Sequence, residues 1–102
     1  MFGARLRITA LRAAKGPGIE LLEYLAPRDG RPAPGDLRAN DIAHWQTTAV
    51  TEKIDALVGL ARDHRLSLVS PGPVEASSLS AGFRTGSLMR DPDGHGIRVV
   101  SR

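Results

Sequence analysis

The chain has no cysteine, so disulfides and thiolate chemistry are excluded and any metal site must be built from His, Asp, Glu or Gln. His44, Gln46 and Thr48 stand at every second residue of Ile42-Ala43-His44-Trp45-Gln46-Thr47-Thr48. In an extended strand this spacing puts the three polar side chains on one face and leaves Trp45 and Ala49 on the other. A polar stripe on a strand that a helix covers lines a site; the same stripe on an exposed edge strand faces water. Glu20 and Glu23, three residues apart in Gly18-Ile19-Glu20-Leu21-Leu22-Glu23-Tyr24, point to opposite faces of their strand, so only one of them can join a given site. Arg98 stays protonated and cannot ligate a cation, but its planar fork suits a carboxylate or a phosphate. His95 reads as a turn residue. His64, at the end of a helical pattern, reads as a favourable charge at a helix C-terminus.

These residues need elements to hold them. Residues 5–12 alternate, with Leu6, Ile8 and Ala10 on one face and Arg5, Arg7 and Thr9 on the other, and residues 18–25 resume the strand after Lys15-Gly16-Pro17-Gly18. The two predict an antiparallel pair. Pro27 to Asn40, with three prolines and two glycines, predicts a loop or linker. A strand follows at 41–49. Ile54, Leu57, Val58 and Ala61 then fall at i, i+3, i+4 and i+7, which predicts a helix over 52–64 with Thr51 as N-cap and Glu52 in the first turn. Strands are expected at 66–69, ended by Pro71 and Pro73, and at 82–90 and 96–101, with a small-residue loop through Ala81. Asp91-Pro92-Asp93-Gly94 joins the last two as a hairpin, with Asp93 bonding forward to the backbone and Gly94 taking positive φ.

The order of three segments carries a resemblance: Gly16-Pro17-Gly18-Ile19-Glu20-Leu21-Leu22-Glu23-Tyr24, then Ile42-Ala43-His44-Trp45-Gln46-Thr47-Thr48, then Arg90-Asp91-Pro92-Asp93-Gly94-His95-Gly96-Ile97-Arg98-Val99-Val100. Together they resemble the glyoxalase/bleomycin-resistance/extradiol-dioxygenase family, the vicinal oxygen chelate superfamily. Strand, helix, strand, strand, strand from Asp41 onward matches its βαβββ module, and residues 5–25 match the terminal hairpin of a preceding module. The resemblance implies a single α+β domain over 1–102, with a curved, mostly antiparallel sheet and one main helix. It spans nearly the whole chain but only about one and a half modules.

In that family each module offers two metal-facing side chains, from its first and last strands. The resemblance places Glu20 at the carboxylate position of the first module. In the second, matching Asp41-Ile42-Ala43 to the family's His-Ile-Ala makes Asp41 the ligand; counting back from the helix gives Gln46, with His44 on the same face. The polar stripe favours the second register. The family's closing Glu is replaced by Arg98. The resemblance thus implies Glu20 and His44 as catalytic groups, Gln46 and Arg98 as ligand-binding groups, and Glu20, His44 and Gln46 as the metal donors. A set this thin makes a poor Zn2+ site and suits Mn2+, Fe2+ or Ni2+ better; metal-free binding is the other option. The implied function is binding of a small oxygenated or anionic ligand, with lyase, isomerase, epimerase or dioxygenase chemistry if a metal is held. The alternative is a non-catalytic, truncated or ligand-sequestering protein of the bleomycin-resistance type.

Composition narrows the partners. A net charge of +3 and a high pI raise nucleic acid, but the basic residues are scattered among acidic ones and there are only four aromatics, so no phosphate-tracking patch is expected. No apolar run approaches the ~20 residues of a membrane span, and the N-terminus lacks the pattern of a secretory leader. A cytoplasmic protein is the expectation. An unpaired sheet edge and an incompletely covered apolar face predict a homodimer.

Overall fold

The computed structural model describes residues 3–102; Met1 and Phe2, the start of the stretch read for a leader, lie outside the described residues. Among the described residues the fold is α+β, with seven strands in two mostly antiparallel sheets and one α-helix. Two compact units divide the chain, residues 1–31 and 32–102, and the division falls inside the proline-rich stretch read as a linker.

The first unit is a hairpin of β1 (Arg5–Leu11) and β2 (Ile19–Ala26), paired antiparallel with a register shift between Arg5 and Leu6. The alternation of β1 and the Gly16-Pro17-Gly18 break set both strands. Gly16 takes φ +93 in the connection, a conformation open to glycine without strain. Cross-strand partners Leu6↔Tyr24, Ile8↔Leu22 and Ala10↔Glu20 share one face, and Arg7↔Glu23, Thr9↔Leu21 and Leu11↔Ile19 share the other.

The second unit is a five-stranded sheet carrying one helix. Its strands are β3 (Gln46–Val50), β4 (Ser67–Leu68), β5 (Val74–Glu75), β6 (Thr85–Arg90) and β7 (Gly96–Ser101), and the helix is α1 (Ile54–Asp63). The order is β3-β7-β6-β4, with β5 also on β6; β3 runs parallel to β7 and the other pairs are antiparallel. The helix buries Ile54, Val58 and Ala61 against Met89 and Val99, with Leu57, Leu66, Leu68 and Ile97 around them. One face of the sheet therefore belongs to the helix. Because side chains alternate, Gln46 and Thr48 of β3, Arg98 of β7 and Gly86, Leu88 and Arg90 of β6 lie on the other.

Several element boundaries depart from the sequence expectations. Residues 41–45 are not strand: Asp41 Oδ2 accepts the Arg38 N–H at 2.6 Å, the Asp41 N–H donates to the Arg38 carbonyl and the His44 N–H to the Asp41 carbonyl. These local turns use the groups a ladder would need. The helix starts at Ile54 rather than residue 52, since Thr51 Oγ1 accepts the Lys53 N–H at 3.1 Å and holds a turn ahead of it. Asp55, not Glu52, is the first-turn acid. At its other end the Leu66 N–H reaches the Ala61 carbonyl and the Arg65 N–H the Arg62 carbonyl, with Arg65 at φ +63. This is the helix-ending pattern that usually employs glycine. β5 was expected to be loop, and β6 begins at Thr85, three residues later than the alternation implies, after Gly82 turns the chain at φ +77.

Candidate functional site

The polar stripe of β3 is held by its pairing. Gln46 lies beside Gly96 and Thr48 beside Arg98 in the parallel register, and His44 Nε2 sits 3.1 Å from Gln46 Oε1. The contact holds the imidazole against the Gln46 side-chain amide. Gly96 permits this approach. A Cβ there would stand 2.9 Å from His44 Cε1, 2.9 Å from the Trp45 carbonyl oxygen and 3.2 Å from Gln46 Cβ.

Trp45 is not packed on the helix as its alternation with His44 implies. It lies just before β3, is 59% exposed, and sets its ring 5.4 Å from that of His95 at a 55° tilt. The turns at 41–44 break the strand period one residue too early for Trp45 to reach the core.

Arg98 is fixed at two points. Its Nε donates to Thr48 Oγ1 at 3.2 Å, and its guanidinium carbon lies 5.7 Å from the centroid of the Phe83 ring, within the range of a cation–π contact. The Phe83 ring occupies space that a side chain at Gly86 would fill, since a Cβ there would come within 2.9 Å of the ring edge. Among the described residues the terminal guanidinium nitrogens have no protein acceptor. They are the part of the fork that recognises carboxylate and phosphate. Beside them is a depression of about 370 Å³, lined by Arg98, Phe83, Gly86, Leu88, Val74 and Ser70 among others. Ser70 is itself anchored, accepting the Leu88 N–H at 3.0 Å, donating to the Gly72 carbonyl at 2.9 Å and lying 3.1 Å from the buried Ser87 hydroxyl. A second depression of about 450 Å³, with Glu75, Arg84 and Thr85 in its wall, also uses Phe83.

The sequence-derived site residues are thus divided between the units. His44, Gln46 and Arg98 stand on one face of the second unit's sheet, and Asp41 is taken up by its turn. Glu20 belongs to the hairpin, opposite Ala10 and on the face away from Glu23, which pairs with Arg7 at 2.9 Å. Of the donors expected from the sequence, the two in the second unit, His44 and Gln46, do not fit a divalent metal. They are two side chains, neither a carboxylate, on a face that also holds the permanent cation Arg98, whereas a metal site wants three or more donors and commonly a carboxylate.

A different group among the described residues has metal-ligand types in reach of one another: Asp91, Asp93 and His95, with ligand atoms within 4.8 Å. Their geometry has a structural cause. Asp91 Oδ1 accepts the backbone N–H of Asp93 at 3.0 Å and of His95 at 2.8 Å, and Oδ2 lies 2.7 Å from His95 Nδ1. The forward-bonding aspartate of the turn is therefore Asp91 and not Asp93, while Gly94 takes the expected positive φ, +89.

Phe83 and Gly86 were the residues that sequence reasoning missed. Their signal was present: a glycine inside a strand pattern marks a close approach, and here the approach is that of an aromatic ring. Compared with models of protein families, with curated proteins and with solved structures, the chain matches none.

Proposed function

We propose that the sheet face opposite the helix binds a small oxygenated or anionic ligand, with Arg98 as its anchor, in a domain of the glyoxalase-like type that the sequence resembles. The observation that carries this reading is the setting of Arg98. Its Nε is spent on Thr48 and its flat face rests near Phe83, so the side chain has lost much of its freedom before any ligand arrives. Preorganisation of this kind lowers the entropic cost of binding. The free end of the fork then offers parallel N–H donors to two oxygens of one group. The Phe83, Leu88 and Val74 side chains supply apolar wall, and His44 and Gln46 add polar groups on the same face as Arg98. The order strand, helix and three further strands from β3 to β7, apart from the short β5, is the one the resemblance implies, and it supports the family reading.

The donor set favours binding without a metal over metal-dependent lyase, isomerase or dioxygenase chemistry. Titration calorimetry with oxalate and with inorganic phosphate on the parent and on Arg98→Gln tests this. A charge-assisted pair of hydrogen bonds is worth roughly 1.5–3 kcal/mol, so the variant should bind about 10- to 100-fold more weakly. Equal affinity in the two proteins would refute Arg98 as anchor.

A further inference from the structure

Given Arg98 as the anchor proposed above, we infer that Arg90 is a second anion anchor on the same sheet face, and that the ligand of this face carries two acidic groups. Arg90 stands opposite Gly96 and Leu88 opposite Arg98, so the two arginines are diagonal neighbours on adjacent strands, with Cα atoms about 7–8 Å apart. Across the sheet the rows read Gln46, Gly96, Arg90, Ser67 and then Thr48, Arg98, Leu88. His44 Cε1 lies over Gly96 in the first row, 2.9 Å from where a Cβ would stand. Among the described strand residues on this face none is acidic. Two fixed cations with no carboxylate between them suit a dianion.

The Arg90 guanidinium is only half served by the protein. Arg90 is half-buried, and its Nε is the one buried side-chain nitrogen or oxygen among the described residues with no hydrogen-bond partner. Its Nη2 donates to the Leu37 carbonyl. Nε and Nη2 lie on one edge of the guanidinium and present parallel N–H groups, which a carboxylate accepts with its two oxygens. The Leu37 carbonyl has one oxygen and takes one of the two. A buried donor of a charged group left without an acceptor is costly, and buried polar groups are as a rule paired. An acidic group that displaces the carbonyl serves both donors. The chain around Leu37 gives way readily: of residues 31–40 only Leu37 is even half-buried, and a segment with so little burial opens at small cost.

The two forks point apart, which sets the length of the ligand. Phe83, which the Arg98 guanidinium approaches, sits over Gly86, on the far side of Arg98 from Arg90. The segment holding Leu37 lies by the Gly94 turn, on the far side of Arg90, where Ala33 Cβ is 2.6 Å from the position of a Cβ on Gly94. The acidic groups held by the two forks are therefore separated by at least the diagonal step between the strands. Oxalate reaches one anchor only. A longer diacid reaches both, and its second contact forms at the high effective concentration that a short linker gives.

Titration calorimetry with glutarate, adipate and suberate, each beside its own monomethyl ester, tests the second anchor in the parent protein without any variant. At least one diacid should bind about tenfold or more tighter than its ester, because the ester keeps the length and loses one charge-assisted contact. In Arg90→Gln that margin should fall to about twofold, the statistical advantage of two equivalent acids on one ligand. In 15N spectra of the parent, the Arg90 Nε–H and the amide of Arg38, which follows the released carbonyl, should move with that diacid and not with its ester. If no diacid reaches the tenfold margin while Arg98→Gln weakens all of them, the second anchor is overturned and Arg98 stands. A margin that persists in Arg90→Gln overturns it equally. Affinities indifferent to Arg98→Gln would remove the first anchor, and the second with it.

Discussion

Replacing Gly96 by alanine tests how tightly β3 is drawn onto β7. The backbone φ of Gly96 lies outside the left-handed region, so alanine meets no conformational barrier and the penalty is steric. Its Cβ would stand 2.9 Å from the Trp45 carbonyl oxygen and 3.2 Å from Gln46 Cβ, and neither atom is the loose end of a side chain. The first residues of β3 must therefore move by a few tenths of an ångström, at the point where the parallel ladder begins with Gln46↔Gly96. Overpacking of this kind costs about 1–3 kcal/mol, and the lower backbone entropy of alanine in the unfolded chain returns roughly 0.5–1 kcal/mol. A net loss of about 1.5 kcal/mol is expected. With a urea m-value near 1 kcal/mol/M for a unit this small, the midpoint should fall by about 1.5 M with the slope unchanged. The single tryptophan, Trp45, adjoins the altered strand and reports the transition by fluorescence. A midpoint equal to or above that of the parent would refute the packing argument.

Arg65→Gly should stabilise the protein by about 1 kcal/mol, because a left-handed non-glycine residue carries a penalty of roughly 1–2 kcal/mol, offset in part by the entropy of glycine; thermal unfolding would register it as a rise in Tm. Asp91→Ala should cost about 1–2 kcal/mol, since the two backbone N–H groups and the imidazole it serves lose their acceptor. Asp91→Asn, which keeps one carbonyl oxygen, should cost less in the same denaturation assay. Arg98→Glu should gain affinity for Mn2+ and Ni2+ over the parent, as a carboxylate replaces a fixed cation on the face that holds His44 and Gln46; titration calorimetry on both proteins reads the difference, and no gain would count against the donor-set argument.

The elements were legible where one period dominated. The helix followed from Ile54, Leu57, Val58 and Ala61, β7 from Gly96–Ser101, and the first hairpin from the alternation around Gly16-Pro17-Gly18. Boundaries failed where side chains competed for backbone groups: Asp41 holding the Arg38 N–H, Thr51 holding the Lys53 N–H, and Asp91 rather than Asp93 governing the last turn. Composition does not reveal which of several Asp or Thr residues wins that competition, because the outcome depends on how the flanking strands aim the chain. The polar stripe of His44, Gln46 and Thr48 and its neighbour Arg98 were legible because a period of two fixes faces. The Phe83–Gly86 part of the depression was not, since Phe83 precedes β6 and reaches the face through a turn at Gly82 that lies outside the alternation. The division into two units was visible only as a proline-rich linker. Placement of Glu20 beside the other candidates came from the family resemblance and from nothing in the spacing itself.

The most direct test of the account is an NMR titration of the 15N-labelled protein with oxalate, following the backbone amides and the arginine Nε–H signals together. The account predicts the largest shifts at the Arg98 Nε–H and at the amides of Thr48, Phe83 and Leu88, saturating with one constant, and their loss in Arg98→Gln. Shifts centred on the Asp91–His95 turn, or none at all at millimolar oxalate, would contradict it.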